Sequence, residues 1–195
     1  MNNVKDSSWY DTIYKGIHAY HVHYTENRYH FIWAIIADRI ARSDVNNIID
    51  IGCGTGQFAS VLHDRGISNY TGVDFSSVGI EIACSVCPWS DYKFVISDMS
   101  QSHHDILYNY TYDCFVAVEF LEHVQDDLDI LSQIKSGVKC YASVPNFPFD
   151  SHVRHFNTVD EVSRRYELLF DSFHVDALIK NSHGDILYLF EGVKR

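Results

Sequence analysis

IIDIGCGTGQF, residues 48–58, carries four apolar or acidic positions into a turn where Gly52, Gly54 and Gly56 take every second place. Glycine removes the side chain and accepts left-handed backbone angles, so a strand ending in such a turn offers a ligand bare backbone N–H groups. Two phosphate-binding readings of the turn fail on single residues. The dinucleotide fingerprint G-x-G-x-x-G needs a third glycine where Gln57 stands, and a P-loop needs Gly-Lys-Ser/Thr, which does not follow Gly52. Asp50, two residues before the first glycine, adds a carboxylate that repels a pyrophosphate and favours an ammonium group.

Outward from the turn, strands and helices alternate. NNIIDI (46–51) reads as a short buried strand and GQFASVLHDRG (56–66) as a helix closed by Gly66. NYTGVD (69–74), SSVGIEIACSVC (76–87) and YKFVIS (92–97) continue as strand, helix and strand. DCFVAVEF (113–120) is a fourth strand, DDLDILSQI (126–134) a helix, and KCYASVP (139–145) a fifth strand stopped by Pro145. This alternation predicts a parallel sheet covered on both faces. Thr158 with Glu161 three residues on is a capping box that starts a helix. DSFHVDALI and DILYLFEGV, separated by KNSHG, predict an antiparallel hairpin. Ahead of the turn, TENRYHFIWAIIADRIA sets Tyr29, Ile32, Trp33, Ile36 and Ile40 at helical spacing from Thr25 onward.

A chain of 195 residues is read as one domain, with a lid or leader over 1–24 and a core over 25–195. The net charge of −11 repels phosphate backbones and leaves a small basic patch around Arg154, Arg164 and Arg165, which disfavours a nucleic-acid partner. Five cysteines, an odd number set mostly in apolar runs, predict free thiols in a reducing compartment. Cys84 and Cys87 read as buried helix positions, because a structural zinc needs four ligands. No apolar run reaches membrane length, so no membrane partner and a cytoplasmic location are expected. The oligomeric state is not legible.

With these residues in view, DIGCGTG is similar to the first motif of the class I S-adenosylmethionine (SAM)-dependent methyltransferases. TGVDFS, ISDMS and VEFLEHV extend the resemblance over about residues 25–195, and VEFLEHV looks like ubiquinone-pathway O-methyltransferases. The resemblance implies an α/β, Rossmann-like class I methyltransferase fold: a seven-stranded, mostly parallel sheet in the order 3-2-1-4-5-7-6, with helices on both faces and an antiparallel C-terminal hairpin. It also implies SAM as cofactor, held by Asp50, Gly52, Cys53, Gly54 and Gly56, with Asp74 and Phe75 at the ribose, Asp98 and Met99 at the adenine, and Glu119 beyond them.

If a helical turn follows the fourth strand, Glu119, Glu122 and His123 share one face at i, i+3 and i+4. His123 then serves as a general base or orients a substrate, with Glu119 and Glu122 beside it. Alternatively, Glu119, Glu122, His123 and His152 hold Mg²⁺ or Mn²⁺, an arrangement that resembles small-RNA 2′-O-methyltransferases; a purely structural role also stays open. Asn146, His152, Arg154 and His155, in the loop after the fifth strand, are candidates for substrate contact. Tyr10 and Tyr14 are candidates in a lid of the kind that similar enzymes place over the cofactor. The leading expectation is methyl transfer to a hydroxyl or amine of a small molecule. A metal-dependent RNA methyltransferase and a SAM-binding module without turnover are the alternatives.

Overall fold

The computed structural model describes residues 4–195, with the backbone alone at 102–104; residues 1–3 of the expected leader lie outside the described residues. Seven strands form one sheet: β1 (Ile48–Ile51), β2 (Tyr70–Asp74), β3 (Tyr92–Ile96), β4 (Cys114–Ala117), β5 (Lys139–Pro145), β6 (Phe170–Ile179) and β7 (Ile186–Lys194). Their order is β3-β2-β1-β4-β5-β7-β6, as the resemblance implied. β1, β2 and β3 pair in parallel, as do β4 and β5, whereas β7 is antiparallel to both β5 and β6. The chain divides into two compact units, one of residues 6–98 and the other of residues 4–5 and 99–195.

In the unit of residues 6–98, β1 is buried along its whole length, which is why IIDI shows no alternation. The helices α1 (Ser7–Gly16), α2 (His30–Ala41), α3 (Gln57–Asp64) and α4 (Ser77–Val86) belong to this unit. Helix α1 lies within the stretch that the sequence analysis reads as a lid or leader. Asp6 caps it by accepting the Trp9 N–H, and Tyr10 and Tyr14, four residues apart, share one face. Helix α2 starts at His30, later than the expected Thr25, because Tyr24–Glu26 forms a separate 3₁₀ turn. Cys84 is exposed, against expectation, whereas Cys87 is buried.

In the unit of residues 99–195, helix α5 (Met99–Asn109) has no counterpart in the sequence reading, since MSQSHHDILYN is too polar to show an apolar stripe. Helices α6 (Asp127–Ser132) and α7 (Val159–Tyr166) lie close to their expected places, and Thr158 caps α7 by accepting the Glu161 N–H. Strand β4 stops at Ala117, three residues early, and Glu119 takes a left-handed φ of 53°. The hairpin of β6 and β7 closes the sheet edge with Phe170, Leu187, Tyr188, Leu189 and Phe190 buried.

Gly192 in β7 marks where this packing is tightest. A Cβ there would sit 2.7 Å from the Phe170 Cβ and 3.2 Å from the Asp171 carbonyl oxygen, which is backbone and moves only with its strand. Gly192→Ala is therefore expected to destabilise the protein by about 1–3 kcal/mol, read as a fall in thermal midpoint of several degrees.

Candidate functional site

Within residues 6–98, the turn after β1 takes the geometry its glycines allow. Gly52, Gly54 and Gly56 all have left-handed φ, at 77°, 54° and 79°. The Gly52 and Cys53 N–H groups donate to the Val73 carbonyl of β2, so the turn begins where two strand ends are stapled together. Three alternate positions without side chains leave backbone bare along the turn. Gly56 also permits close packing on α4 and Cys87, since a Cβ there would lie 3.1 Å from Ala83 and 3.2 Å from the Cys87 sulfur. The side-chain-free turn and the two buried acids beside it fit SAM: acids there would answer its cationic and hydroxyl groups.

Those acids are Asp50 and Asp74. Asp50 is 3% exposed and accepts the Tyr70 hydroxyl at 2.5 Å; burial pushes its carboxyl up to about 7, with the Asp74 charge adding to the rise against that hydrogen bond. Asp74, at the end of β2, is raised by burial to about 6. Its Oδ2 accepts the Gly54 N–H at 2.9 Å and the Tyr14 hydroxyl at 3.5 Å, and its Oδ1 accepts the Ser76 N–H at 2.9 Å. Phe75 packs its ring on Tyr10, with centroids 5.1 Å apart, and Cys53 is buried under the turn. Asp98 follows β3 half-buried at the boundary of this unit.

Several supporting residues escaped the sequence reading. Gln57, whose identity excludes a dinucleotide fingerprint, donates to the Ala19 and Val22 carbonyls and accepts from Asn27, fixing the 19–27 segment onto the start of α3. Asp11 accepts the Ser76 hydroxyl at 2.5 Å, tying α1 to the start of α4. Only a polar residue at an unexpectedly buried position could have signalled either.

Within residues 99–195, Met99 is buried at the start of α5, and the segment after β4 forms turns instead of the helical turn expected for Glu119, Glu122 and His123. The left-handed Glu119 leaves the others: its carboxylate accepts the Ser143 hydroxyl at 3.1 Å, while its N–H donates to the same oxygen. Glu122, His123 and His152 instead come together, with one ligand atom from each within 4.8 Å of the others. Glu122 is fully buried, and neither carboxylate oxygen has a hydrogen-bond partner among the described residues. Burial, then the Glu119 charge, holds its carboxyl well above the usual range. The His123 Nε2 lies 3.9 Å from Glu122, and burial lowers this imidazole to about 4, so it is neutral at pH 7. His123 Nδ1 lies 3.1 Å from the Ser151 carbonyl and His152 Nδ1 3.1 Å from that of Phe147; as neutral rings donating there, both keep their lone pair on Nε2.

The remaining candidates have other partners. Arg154 donates to the Leu121, Val124 and Gln125 carbonyls and pairs with Asp127 at 3.1 Å. Asp127, fully buried, also receives both arms of the Arg165 fork, at 2.6 and 2.8 Å, and the Tyr166 hydroxyl at 2.8 Å. Arg154 is thus a clamp on the 121–125 turn that carries Glu122 and His123. Asn146 accepts the Ile186 N–H and donates to the Gly184 carbonyl, bracing the hairpin turn, and His155 is exposed.

Comparisons with known proteins bear on the family and the fold. A family model described as a methyltransferase domain matches residues 24–176. No curated protein matches the sequence. Among solved structures, the chain resembles a Burkholderia thailandensis 1,6-didemethyltoxoflavin-N1-methyltransferase with bound 1,6-didemethyltoxoflavin and S-adenosylhomocysteine (SAH), with a TM-score of 0.72 and 15% identity over 96% of this chain and 86% of that one. It also resembles a putative methyltransferase in complex with the Haloferax volcanii Trm112 activator, at 0.66 and 16% over 98% and 100%. The methyltransferase domain of the bacterial protein CtHen1-C follows, at 0.57 and 18% over 87% and 100%.

The raised Asp50 carboxyl has a definite sign in stability. Unfolded, the group loses its proton near 3.8; folded, it holds the proton to about 7, so stability falls as pH rises between those values. Asp50→Asn keeps an acceptor for Tyr70 and carries no charge. Urea unfolding from pH 4 to 8 is expected to show the wild type losing ground to this variant up to about pH 7, with a constant difference above.

Proposed function

Because the chain belongs to the methyltransferase-domain family and takes its methyl group from SAM, we propose that it methylates a hydroxyl or amine of a small-molecule acceptor. SAM supplies a methyl group on a cationic sulfur, and the protein's share of the work is to hold the attacking atom in line with it and to keep that atom's lone pair available. The observation that carries the small-molecule reading is the state of the arginines. Of the basic patch around Arg154, Arg164 and Arg165, the first and last converge on buried Asp127, and Arg164 donates to the Asp160 carbonyl in its own helix. With a net charge of −11 and these guanidiniums turned to the protein itself, little remains to track a phosphate backbone. The neutral His123 imidazole accepts a hydrogen bond from the acceptor and orients it; lowered to about 4, it is a weak base, so orientation is its main contribution.

A second reading is favoured by one specific observation. Glu122, His123 and His152 present a carboxylate and two neutral imidazoles to one another, and both oxygens of the carboxylate lack a hydrogen-bond donor. Such a donor set suits a divalent cation, Mn²⁺ better than Mg²⁺ given two imidazoles, and the cation would both compensate the buried charge and hold an acceptor oxygen.

Methyl-labelled SAM incubated with the protein and a cell extract is expected to put label in the small-molecule fraction; label confined to RNA or protein overturns the reading. Glu122→Met is expected to raise the thermal midpoint, since it removes an uncompensated buried carboxyl, while lowering transfer at least tenfold. Calorimetric titration of Mn²⁺ separates the two readings. Binding that His152→Ala abolishes supports the cation, whereas no binding, with transfer surviving chelation, removes it.

A further inference from the structure

The Asp74 carboxylate is already well occupied. A carboxylate offers about four lone-pair sites, and Asp74 receives three donors: the Gly54 N–H and the Ser76 N–H, each at 2.9 Å, and the Tyr14 hydroxyl. The first two are backbone groups of the turn and of the segment that follows Asp74 itself, and they hold the strand end in shape. The Tyr14 hydroxyl is the exception. It comes from another element, α1, and at 3.5 Å its hydrogen bond is the longest of the three.

Tyr14 reaches Asp74 through a slot built from two glycines. A Cβ at Gly79 would lie 2.9 Å from the Tyr14 ring, and one at Gly54 would lie 3.3 Å from its hydroxyl. The ring is 7% exposed and packs edge-on against Tyr20, with centroids 4.9 Å apart. Burial, with the Asp74 charge, raises the Tyr14 phenol well above its usual range, so it stays a donor at any physiological pH. Four residues earlier on the same helix, the anchoring is firmer. Tyr10 packs on Phe75, and Asp11 accepts the Ser76 hydroxyl at 2.5 Å and the Val78 N–H at 3.4 Å. Helix α1 is therefore anchored at residues 10–11 by two hydrogen bonds and a ring contact, and at Tyr14 by a fitted ring whose hydroxyl makes one long hydrogen bond; a Cβ at Gly16, two residues on, would meet open space.

We propose that Tyr14 sets the affinity of the protein for SAM by competing with the cofactor for Asp74. This rests on Asp74 receiving the cofactor's ribose, the role that the family resemblance implies for it. A ribose diol brings two hydroxyl donors to a carboxylate with one site to spare, and the longest existing hydrogen bond yields. The Tyr14 hydroxyl leaves Asp74 as the cofactor arrives, and the last turn of α1 loosens about the anchor at Asp11. Tyr14 is on this account a residue whose bond in the unliganded protein opposes cofactor binding; it does not act on the methyl group.

Tyr14→Phe removes only the hydroxyl and keeps the ring that fills the Gly54–Gly79 slot. Calorimetric titration with SAH is expected to show the variant binding about threefold to tenfold more tightly than the wild type, the worth of one hydrogen bond. A second readout needs no variant. Lys15 is exposed in the last turn of α1, and trypsin is expected to cut after it faster when the wild type is saturated with SAH than when it is unliganded. Unchanged or weaker SAH binding by Tyr14→Phe, or protection of Lys15 by SAH, overturns the proposal. Asp74→Asn tests the premise separately: it is expected to weaken SAH binding at least tenfold, and wild-type affinity there removes the ribose role of Asp74 instead.

Discussion

The bond from the Gly54 N–H to the Asp74 carboxylate is the contact on which the 6–98 unit turns. It joins the end of β2 to the glycine turn after β1, and the same carboxylate receives Ser76 at the start of α4 and Tyr14 from α1. One buried charge thereby organises a strand end, a turn and two helices. Its surroundings hold few cations; backbone N–H dipoles supply the compensation, which offsets part of the desolvation that raises Asp74 to about 6. Asp50, with one hydroxyl partner and the Asp74 charge close by, is less well compensated and rises further, to about 7. A cationic ligand would relieve both acids at once, so the site is electrostatically incomplete without one.

The unit of residues 99–195 shows the opposite treatment of buried charge. Asp127 is met by two guanidiniums and a phenol, a fully satisfied network of the kind that rigidifies its surroundings. Arg154 carries that rigidity to the 121–125 turn through three carbonyls. On the turn so clamped sits Glu122, buried and without a donor among the described residues. Burying a carboxyl this way costs on the order of several kcal/mol if it is charged. Asp127 and Glu122, five residues apart, thus show opposite treatments of a buried acid.

The strand-helix alternation was legible because buried parallel strands are short apolar runs, a rule that IIDI and the stretch at 139–145 obey, while the antiparallel hairpin showed itself as two apolar-rich runs around a turn. The glycine turn was legible because left-handed angles at 52, 54 and 56 admit little else. Helix α5 was not legible, since its sequence is polar and no stripe shows. The bounds of helix α1 were not legible for another reason: it buries Tyr14 and half-buries Tyr10, whose polar tips and apolar rings blur any periodic pattern.

The amino-acid sequence by itself determined the succession of strands, the glycine turn and the acids Asp50 and Asp74 beside it, because these depend on local chain geometry and on residues a few positions apart. Only the tertiary structure decided which polar groups answer one another. It brought His152 to Glu122 and His123, left Glu119 with Ser143, turned Arg154 and Arg165 inward to Asp127, and set Tyr14 on Asp74 across 60 positions of chain. The physical reason is that a buried polar group takes whichever partner packing delivers within about 3 Å, and that choice depends on how distant segments pack, which no local pattern encodes.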